Sequence, residues 1–161
     1  MKYLYSPWRM KYILENKNSQ CIFCLKNIET EDSKRFILKR DKYAYIIMNL
    51  YPYNNAHLMV IPYDHVSSLQ QLDDEKLSNI MKLVKMSEKV LKKVYNPDGF
   101  NIGINIGESA GAGIAEHLHV HIVPRWNGDT NFFTTVNGTR VIPEDLNVAY
   151  KKLKDAFDEE E

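Results

Sequence analysis

Three of the five histidines in this chain stand at every second position, at His117, His119 and His121. Successive side chains of a β-strand point to opposite faces, so a strand here places all three imidazoles on one face. The apolar residues between them then form the other face, whereas a helix would scatter the histidines around its axis. The β-branched residues that follow and the break at Pro124 favour the strand. A single strand histidine is usually a hydrogen-bonded or surface residue, but three in alternation beside an apolar row indicate a functional cluster.

The size and composition of the chain predict one soluble domain. Its 161 residues are enough for a proper core, and 44% hydrophobic with 26% charged residues is ordinary for a globular protein. The 21 basic and 21 acidic residues balance, which argues against nucleic acid as a partner. No apolar run is long enough for a signal peptide or a membrane span, so we expect a cytoplasmic protein with no membrane partner.

The two cysteines form a Cys-x-x-Cys motif at Cys21 and Cys24. In a cytosolic chain this motif can be a zinc site, a redox pair, or two unconnected core cysteines. A redox pair needs a strand before it and a helix after it, and the sequence shows neither, which favours zinc if two further ligands exist. The candidates of suitable softness are His57, His65 and the cluster at residues 117–121.

Five segments have the composition of strands, and the expected fold class is α+β with an antiparallel sheet of about five strands. The strands are predicted at residues 34–40, 43–48, 57–61 and 100–106, and at the histidine segment that begins at residue 117.

One long helix and a C-terminal helix complete the predicted fold. Asp73 is a natural N-cap for the long helix, which the turn at residues 96–99 ends. Pro143 is expected to begin the last helix, and the acidic end of the chain is expected to be a frayed tail. The single domain is thus predicted over residues 1–161, with an N-terminal arm or short helix at 1–20 and the last helix and tail at 143–161.

The strand at residues 100–106 and the loop after it predict a place where a ligand can approach. Asn101, Gly103 and Asn105 share one face of the strand and offer only small or amide groups. The glycines of residues 107–113 let the backbone turn its N–H groups toward an anion. Between an amide-lined strand and a triple-histidine strand, this segment is a candidate phosphate loop.

The histidine motif with residues 122–125, the loop at 107–113, the strand at 101–105 and the segment at 55–62 together resemble the histidine triad family of nucleotide hydrolases and transferases. A closer similarity is to the bacterial diadenosine tetraphosphate phosphorylase branch, carried by residues 8–13, 101–105, 110–117 and 124–132. One departure concerns phosphate binding. Many family hydrolases have a glutamine four residues before the first triad histidine, where this chain has Gly113, so backbone N–H groups must take over that contact.

The resemblance implies roles for individual residues. His119 would be the nucleophile that forms a nucleotidyl-histidine intermediate, and a backbone carbonyl near the triad would fix its tautomer. His121 would contact the phosphate oxygens, and Asn49 would contact the ribose. The substrate-binding residues implied by the family pattern are Asn49, Asn105, Gly111, Gly113, His121 and Trp126.

The resemblance also implies a metal site. Zinc-bearing relatives, including galactose-1-phosphate uridylyltransferase, use a Cys-x-x-Cys pair, a loop histidine and the histidine two before the nucleophile. Those positions here are Cys21, Cys24, His65 and His117. Four ligands with no open position indicate a structural zinc rather than a catalytic one. His57 then stays unassigned, as a hydrogen-bonded strand histidine or as a catalytic residue.

The implied activity is phosphorolysis of diadenosine tetraphosphate with orthophosphate, which gives ATP and ADP. With water as the acceptor, the same chemistry would make a hydrolase of dinucleoside polyphosphates or nucleoside phosphoramidates. A non-catalytic nucleotide-binding module is the third possibility, and the intact triad argues against it because a binder needs no nucleophile. The family likeness further implies a homodimer, with a tetramer as the alternative.

Overall fold

The computed structural model describes residues 21–25, 31–138 and 141–160. The predicted N-terminal arm lies outside these residues, so it and the single domain over residues 1–161 stay predictions. The helices are α1 (Asp32–Arg35), α2 (Asp74–Tyr95), α3 (Phe132–Asn137) and α4 (Leu146–Asp158), with short 3₁₀ turns at Leu69–Gln71 and Glu108–Ala110. The strands are β1 (Ile37–Arg40), β2 (Ala44–Met48), β3 (Leu58–Pro62), β4 (Gly99–Ile104) and β5 (Val120–Arg125).

The five strands form one antiparallel sheet in the order β1-β2-β3-β5-β4, which confirms the α+β prediction. The histidine strand β5 therefore lies inside the sheet, between β3 and the edge strand β4. His121 pairs with Met59 on one side and with Gly103 on the other. This double pairing fixes the register of β5, and hence the face to which each of its side chains points. Among the described helices, none is long and apolar enough to cross a membrane.

The inner strands β2, β3 and β5 are buried on both faces of the sheet, and each face has its own core. The larger core packs α2 and α4 against one face, with Leu58, Val60, Leu118, Val120 and Ile122 on the sheet side. The smaller core lies on the opposite face, where Phe23 and Leu25 of the cysteine segment cover Tyr45, Ile47 and Met59 among others. Burial of these apolar side chains is the main force that holds the layers together.

The long helix follows its predicted signals closely. The Asp73 carboxylate caps α2 by accepting the Lys76 N–H at 2.9 Å, and Asn96 ends the helix in the left-handed conformation with φ 43°. The buried residues of α2 recur every three or four positions and form one stripe: Ile80, Leu83, Val84, Ser87, Val90 and Leu91.

Strand bounds differ from the prediction at the start of the sheet. The segment predicted as a strand from residue 34 is still helical through Arg35, and β1 begins only at Ile37. Phe36 takes the left-handed conformation at φ 59° and its N–H bonds to Ser33, which ends the turn. The Arg40 guanidinium holds the Asp32 carboxylate at 2.7 Å, so an ion pair with the strand stabilises this short helix.

Smaller differences occur elsewhere in the sheet. β3 begins at Leu58 rather than His57 and includes Pro62, whose missing N–H is tolerated at a strand end. β4 ends at Ile104 rather than Ile106, because its pairing with β5 stops at Val120.

The C-terminal helix begins later than predicted. Asp145, not Pro143, marks the start, because its carboxylate accepts the N–H groups of Asn147 and Val148. Glu159 and Glu160 form ion pairs with Lys93 and Lys89 of α2, which hold the tail against the long helix.

Candidate active site and metal cluster

The histidine segment keeps the predicted alternation although only part of it is regular strand. β5 begins at Val120, so His117 and His119 lie in a lead-in before the strand rather than within it, a correction to the predicted strand start. The residues between the histidines belong to the larger core. The imidazoles point the other way and are nearly closed to solvent, with exposed fractions of 0% for His117, 4% for His119 and 8% for His121.

The proton of His119 is fixed by the main chain. Its Nδ1 lies 2.8 Å from the carbonyl oxygen of His117, and a carbonyl can only accept a hydrogen bond. In the neutral ring the proton therefore resides on Nδ1 and the lone pair on Nε2. This is the carbonyl contact near the triad that the family likeness implied, and it leaves the lone pair of the neutral ring on Nε2 of His119.

His57 sets the proton of His121 in the same way. The Tyr53 backbone N–H donates to Nδ1 of His57 at 3.1 Å, so the His57 proton sits on Nε2. That Nε2 lies 2.9 Å from Nδ1 of His121 and donates to it. His121 must then carry its own proton on Nε2, an atom that is buried and without a hydrogen-bond partner among the described residues. The result is an N–H donor that can bind an anionic oxygen.

Burial keeps both of these rings neutral. It lowers the pKa of His57 to about 3, with smaller contributions from His121 and His119. Burial likewise lowers the pKa of His121 to about 4, with His119 as the lesser cause. At neutral pH the chain of donors through His57 and His121 is therefore uncharged, in agreement with the tautomers that the distances require.

His57 is the functional residue that sequence reasoning left without a role. The sequence gives little indication of a role for His57, because this residue lies one position before an apolar strand and far from the triad in sequence. Only the pairing of β3 with β5 brings it against His121. Asn49 also lies beside His57. Its amide Nδ2 is 3.3 Å from Nδ1 of His57, and its backbone N–H donates to the His57 carbonyl.

The other predicted substrate residues lie around this cluster to different degrees. Gly103 pairs with His121, which places the amide row of β4 on the histidine face, with Asn105 just beyond the strand end. Gly111 has φ 89°, and an added Cβ at Gly111 or Gly113 would meet no described atom within 4 Å, so the loop leaves open space. Trp126 is different. It follows β5, roughly 16 Å of strand beyond His121, so the strand does not bring it against the histidines.

A second cluster joins the cysteine pair to the first triad histidine. Nδ1 of His117 lies 3.3 Å from Sγ of Cys21 and 3.7 Å from Sγ of Cys24, and Nδ1 of His65 lies 3.2 Å from Cys24. All four ligand atoms lie within 4.8 Å of one another. The structure thus brings together the four residues that the family likeness implied.

The dimensions of this cluster fit a tetrahedral metal site. Zn–S and Zn–N bonds of about 2.3 and 2.0–2.1 Å place sulfur and nitrogen ligands about 3.6 Å apart, close to the distances found here. Nε2 of His117 donates to the Pro62 carbonyl at 2.9 Å, so the lone pair on Nδ1 faces the thiols. Neither cysteine forms a disulfide. Burial raises the pKa of the Cys24 thiol, and the neighbouring Cys21 raises it further, because two adjacent thiolates repel each other. A bound cation would neutralise this repulsion.

Comparison with known proteins places this geometry in a family. The HIT domain model matches residues 30–128, more than half of the chain. This chain belongs to the HIT (histidine triad) family. That assignment confirms the resemblance seen in the sequence.

This HIT chain is similar to two proteins of named activity and to a solved structure of the family. It is 42% identical over 149 residues to the AP-4-A phosphorylase of Mycobacterium tuberculosis, covering 88% of this chain and 76% of the relative. It is 32% identical over 112 residues to adenosine 5′-monophosphoramidase of Candida albicans, covering 67% of this chain and 72% of the relative. The crystal structure of a Zn-bound histidine triad family protein from Mycobacterium smegmatis superimposes with a TM-score of 0.69 at 27% identity, covering 87% of this chain and 94% of that one.

The triad of this HIT chain places a lone pair on one ring beside an N–H donor on the next. Nε2 of His119 offers a lone pair, and Nε2 of His121 offers a proton, on rings whose centroids are 4.8 Å apart. A tetrahedral phosphorus between them can be attacked by the first ring while the second donates to one of its oxygens. The arrangement therefore suits phosphoryl or nucleotidyl transfer through a covalent histidine.

Proposed function

We propose that this chain is a nucleotidyl-transferring phosphorylase that cleaves diadenosine tetraphosphate with orthophosphate to ATP and ADP. The observation that carries the proposal is the hydrogen bond from Nδ1 of His119 to the His117 carbonyl, which leaves the buried Nε2 as a nucleophile. The 42% identity to an AP-4-A phosphorylase supports the choice of substrate.

In the first step Nε2 of His119 attacks the α-phosphorus, forms a P–N bond and breaks the bond to the leaving ATP oxygen. The ATP leaves as an anion and needs no proton at neutral pH. The Nε2–H of His121 donates to a non-bridging oxygen as negative charge moves through the transition state. The His117 carbonyl stabilises the positive charge that develops on His119 by holding its Nδ1 proton.

In the second step an orthophosphate oxygen attacks the same phosphorus and the P–N bond breaks. The electron pair returns to Nε2 of His119, and the product is ADP. Water in place of orthophosphate would release AMP and make the protein a hydrolase. The similarity to a monophosphoramidase supports this alternative.

The nucleotide is proposed to bind along the histidine face. Asn49 would contact the ribose, and Asn105 would hold the phosphates together with the backbone N–H groups at Gly111 and Gly113. Trp126 is proposed as a further substrate contact, in line with the phosphorylase pattern. Since Gly113 replaces the glutamine of many family hydrolases, the open space beside it supports close approach of the phosphate to the backbone.

Radiolabelled orthophosphate distinguishes the candidate activities. With diadenosine tetraphosphate and labelled orthophosphate, the label should appear in the β-phosphate of ADP, and omission of orthophosphate should stop turnover. Release of AMP without orthophosphate would establish the hydrolase instead. His119→Gln is the matched control that removes the nucleophile, and an unchanged rate in this variant would overturn the covalent mechanism through His119. No turnover of the wild type with either acceptor would leave the binding module.

We further propose that Cys21, Cys24, His65 and His117 hold a structural Zn²⁺. The near-tetrahedral distances support this, and so does the resemblance to a solved family member described as Zn-bound. When bound, the ion would tie the cysteine segment to the loop after β3 and to the triad. Metal analysis of the purified protein should find about one zinc per chain, lost in Cys24→Ser.

A homodimer in the cytoplasm is proposed as the working assembly, with a tetramer as the alternative. A reducing compartment would keep the two thiols available for metal. Ile102 in the edge strand β4 and Ile106 two residues past its end expose 44% and 43% of their surface, which supports pairing with a second copy. Sedimentation of the purified chain measures the assembly directly.

A further inference from the structure

Phe23 stands between the two cysteines of the metal cluster and reaches the nucleophile. Its ring centroid lies 5.4 Å from that of His119 and 5.7 Å from that of His117, the latter edge-on at 84°. The side chain is only 6% exposed. One side chain of the cysteine segment therefore contacts both a metal-cluster histidine and the attacking histidine.

The position of Phe23 is set by the turn that carries it. The Cys24 N–H closes this turn on the Cys21 carbonyl at 3.1 Å. The hydroxyl of the buried Tyr45 donates to the Phe23 carbonyl at 2.9 Å, which attaches the turn to β2. The turn otherwise rests on the sheet through Leu25 and on the triad through the thiols.

His119 is held by contacts on three sides. The His117 carbonyl fixes Nδ1 at one edge, and the ring of His121 meets His119 edge-on at 4.8 Å. The Phe23 ring packs against His119 as a further neighbour, tilted by 55°. The carbonyl alone selects the tautomer but leaves the ring free to tilt about that bond, so an aromatic neighbour is needed to fix its direction.

We propose that Phe23 is a positioning residue for His119, and that the metal cluster on either side of it holds it in place. This inference rests on the proposed role of His119 as nucleophile. A ring that drifts by about 1 Å from the line of attack can lose up to about 100-fold in rate, because the near-attack geometry is lost. The metal cluster then supports the chemistry through packing, without touching the substrate.

The test compares Phe23→Ala with Leu25→Ala in the zinc-loaded protein. Leu25 is the matched control, since it is buried in the same turn and the same small core but is not a ring neighbour of the histidines. We expect both variants to keep one zinc per chain and to melt at lower temperature than the wild type. Only Phe23→Ala should lower kcat, by about 10- to 100-fold with little change in KM, and Phe23→Tyr should restore most of it.

Nitrogen NMR of the imidazoles provides a readout that does not depend on turnover. In the wild type, the Nδ1 and Nε2 signals of His119 should be those of a single fixed ring, and they should broaden or average in Phe23→Ala but not in Leu25→Ala. Removing zinc with a chelator should reproduce this change in the wild type and add little in Phe23→Ala, because both perturbations act through the same ring.

Two results would overturn the proposal. The first is equal loss of kcat in Phe23→Ala and Leu25→Ala, which would reduce Phe23 to a packing residue. The second is a set of His119 Nδ1 and Nε2 signals that change neither in Phe23→Ala nor on removal of the metal. If the wild type lacks phosphorylase activity, the proposed function fails, while the NMR comparison still decides whether Phe23 fixes the ring.

Discussion

Two substitutions of His57 can separate the two ends of its hydrogen-bond chain. In the native site Nδ1 accepts from the Tyr53 N–H and Nε2 donates to His121. Glutamine places its amide nitrogen near the native Nε2 and can still donate to His121, whereas the shorter asparagine can reach only the Tyr53 end. His57→Gln should therefore preserve the His121 tautomer, and His57→Asn should release it.

The size of the effect follows from what the released ring loses. A net hydrogen bond is worth about 1 kcal/mol, so loss of the His57 donor should lower the bias toward the productive tautomer about fivefold. If His121 turned fully to the other tautomer, the loss would approach that of an oxyanion donor, about 10²–10³ in kcat. We therefore expect His57→Asn to lower kcat about 10-fold, with 10³ as the upper limit, and His57→Gln to lose less than half as much on a logarithmic scale.

Steady-state kinetics with diadenosine tetraphosphate and orthophosphate measure kcat and KM for both variants. Nitrogen NMR reports directly which nitrogen of His121 carries the proton. Equal activity of the asparagine and glutamine variants, with the His121 proton still on Nε2 in both, would refute the reasoning. A large rise in KM with kcat unchanged would likewise place His57 outside the reacting geometry.

Three further predictions concern stability and the phosphate loop. The pKa values of about 3 for His57 and about 4 for His121 lie below the ordinary value of 6.5. Below pH 6.5 these two histidines therefore bind protons in the unfolded chain but stay neutral in the folded chain. Stability should be complete above pH 6.5 and fall toward pH 4 by about 1.4 kcal/mol per pH unit for each ring, as urea unfolding at several pH values can show; a flat profile would contradict it. Gly111→Ala should lower the free energy of unfolding by about 1 kcal/mol through its φ of 89°, since the added methyl group meets no described neighbour, and an unchanged urea midpoint would contradict this. Leu153→Ala in the fully buried stripe of α4 should cost about 2–5 kcal/mol in the same assay with the NMR spectrum of the histidines unaltered.

Alternation and capping were the parts of the fold that the sequence could predict. The histidine face follows from a period of two, and the bounds of α2 follow from Asp73 and from the turn beginning at Asn96. Both signals act over a few neighbouring residues, so a single sequence contains all that is needed. The four metal-cluster residues were predicted through the family likeness, and the structure brings them together.

The parts that sequence reasoning missed depend on contacts between distant segments. His57 acquires its role only because β3 pairs with β5, and nothing near His57 in the sequence specifies that pairing. Glu159 and Glu160 likewise form ion pairs with a helix more than sixty residues away, which no local signal predicts. Phe36 in the left-handed conformation was unforeseeable for another reason, because an aromatic residue rarely adopts it unless tertiary packing compensates.

The hydrogen-bond acceptor that prepares His119 belongs to the main chain, and this affects how the site can evolve. Every amino acid at position 117 supplies the same carbonyl oxygen, so no side-chain replacement deletes the contact that sets the tautomer of His119, the proposed nucleophile. The side chain at position 117 is constrained separately, because it lies in the cluster with Cys21, Cys24 and His65. A descendant that replaced His117 would lose one of the four proposed metal ligands and keep the carbonyl that sets the His119 tautomer. Tautomer selection at His119 is thus genetically separable from the proposed metal binding, although residue 117 serves both.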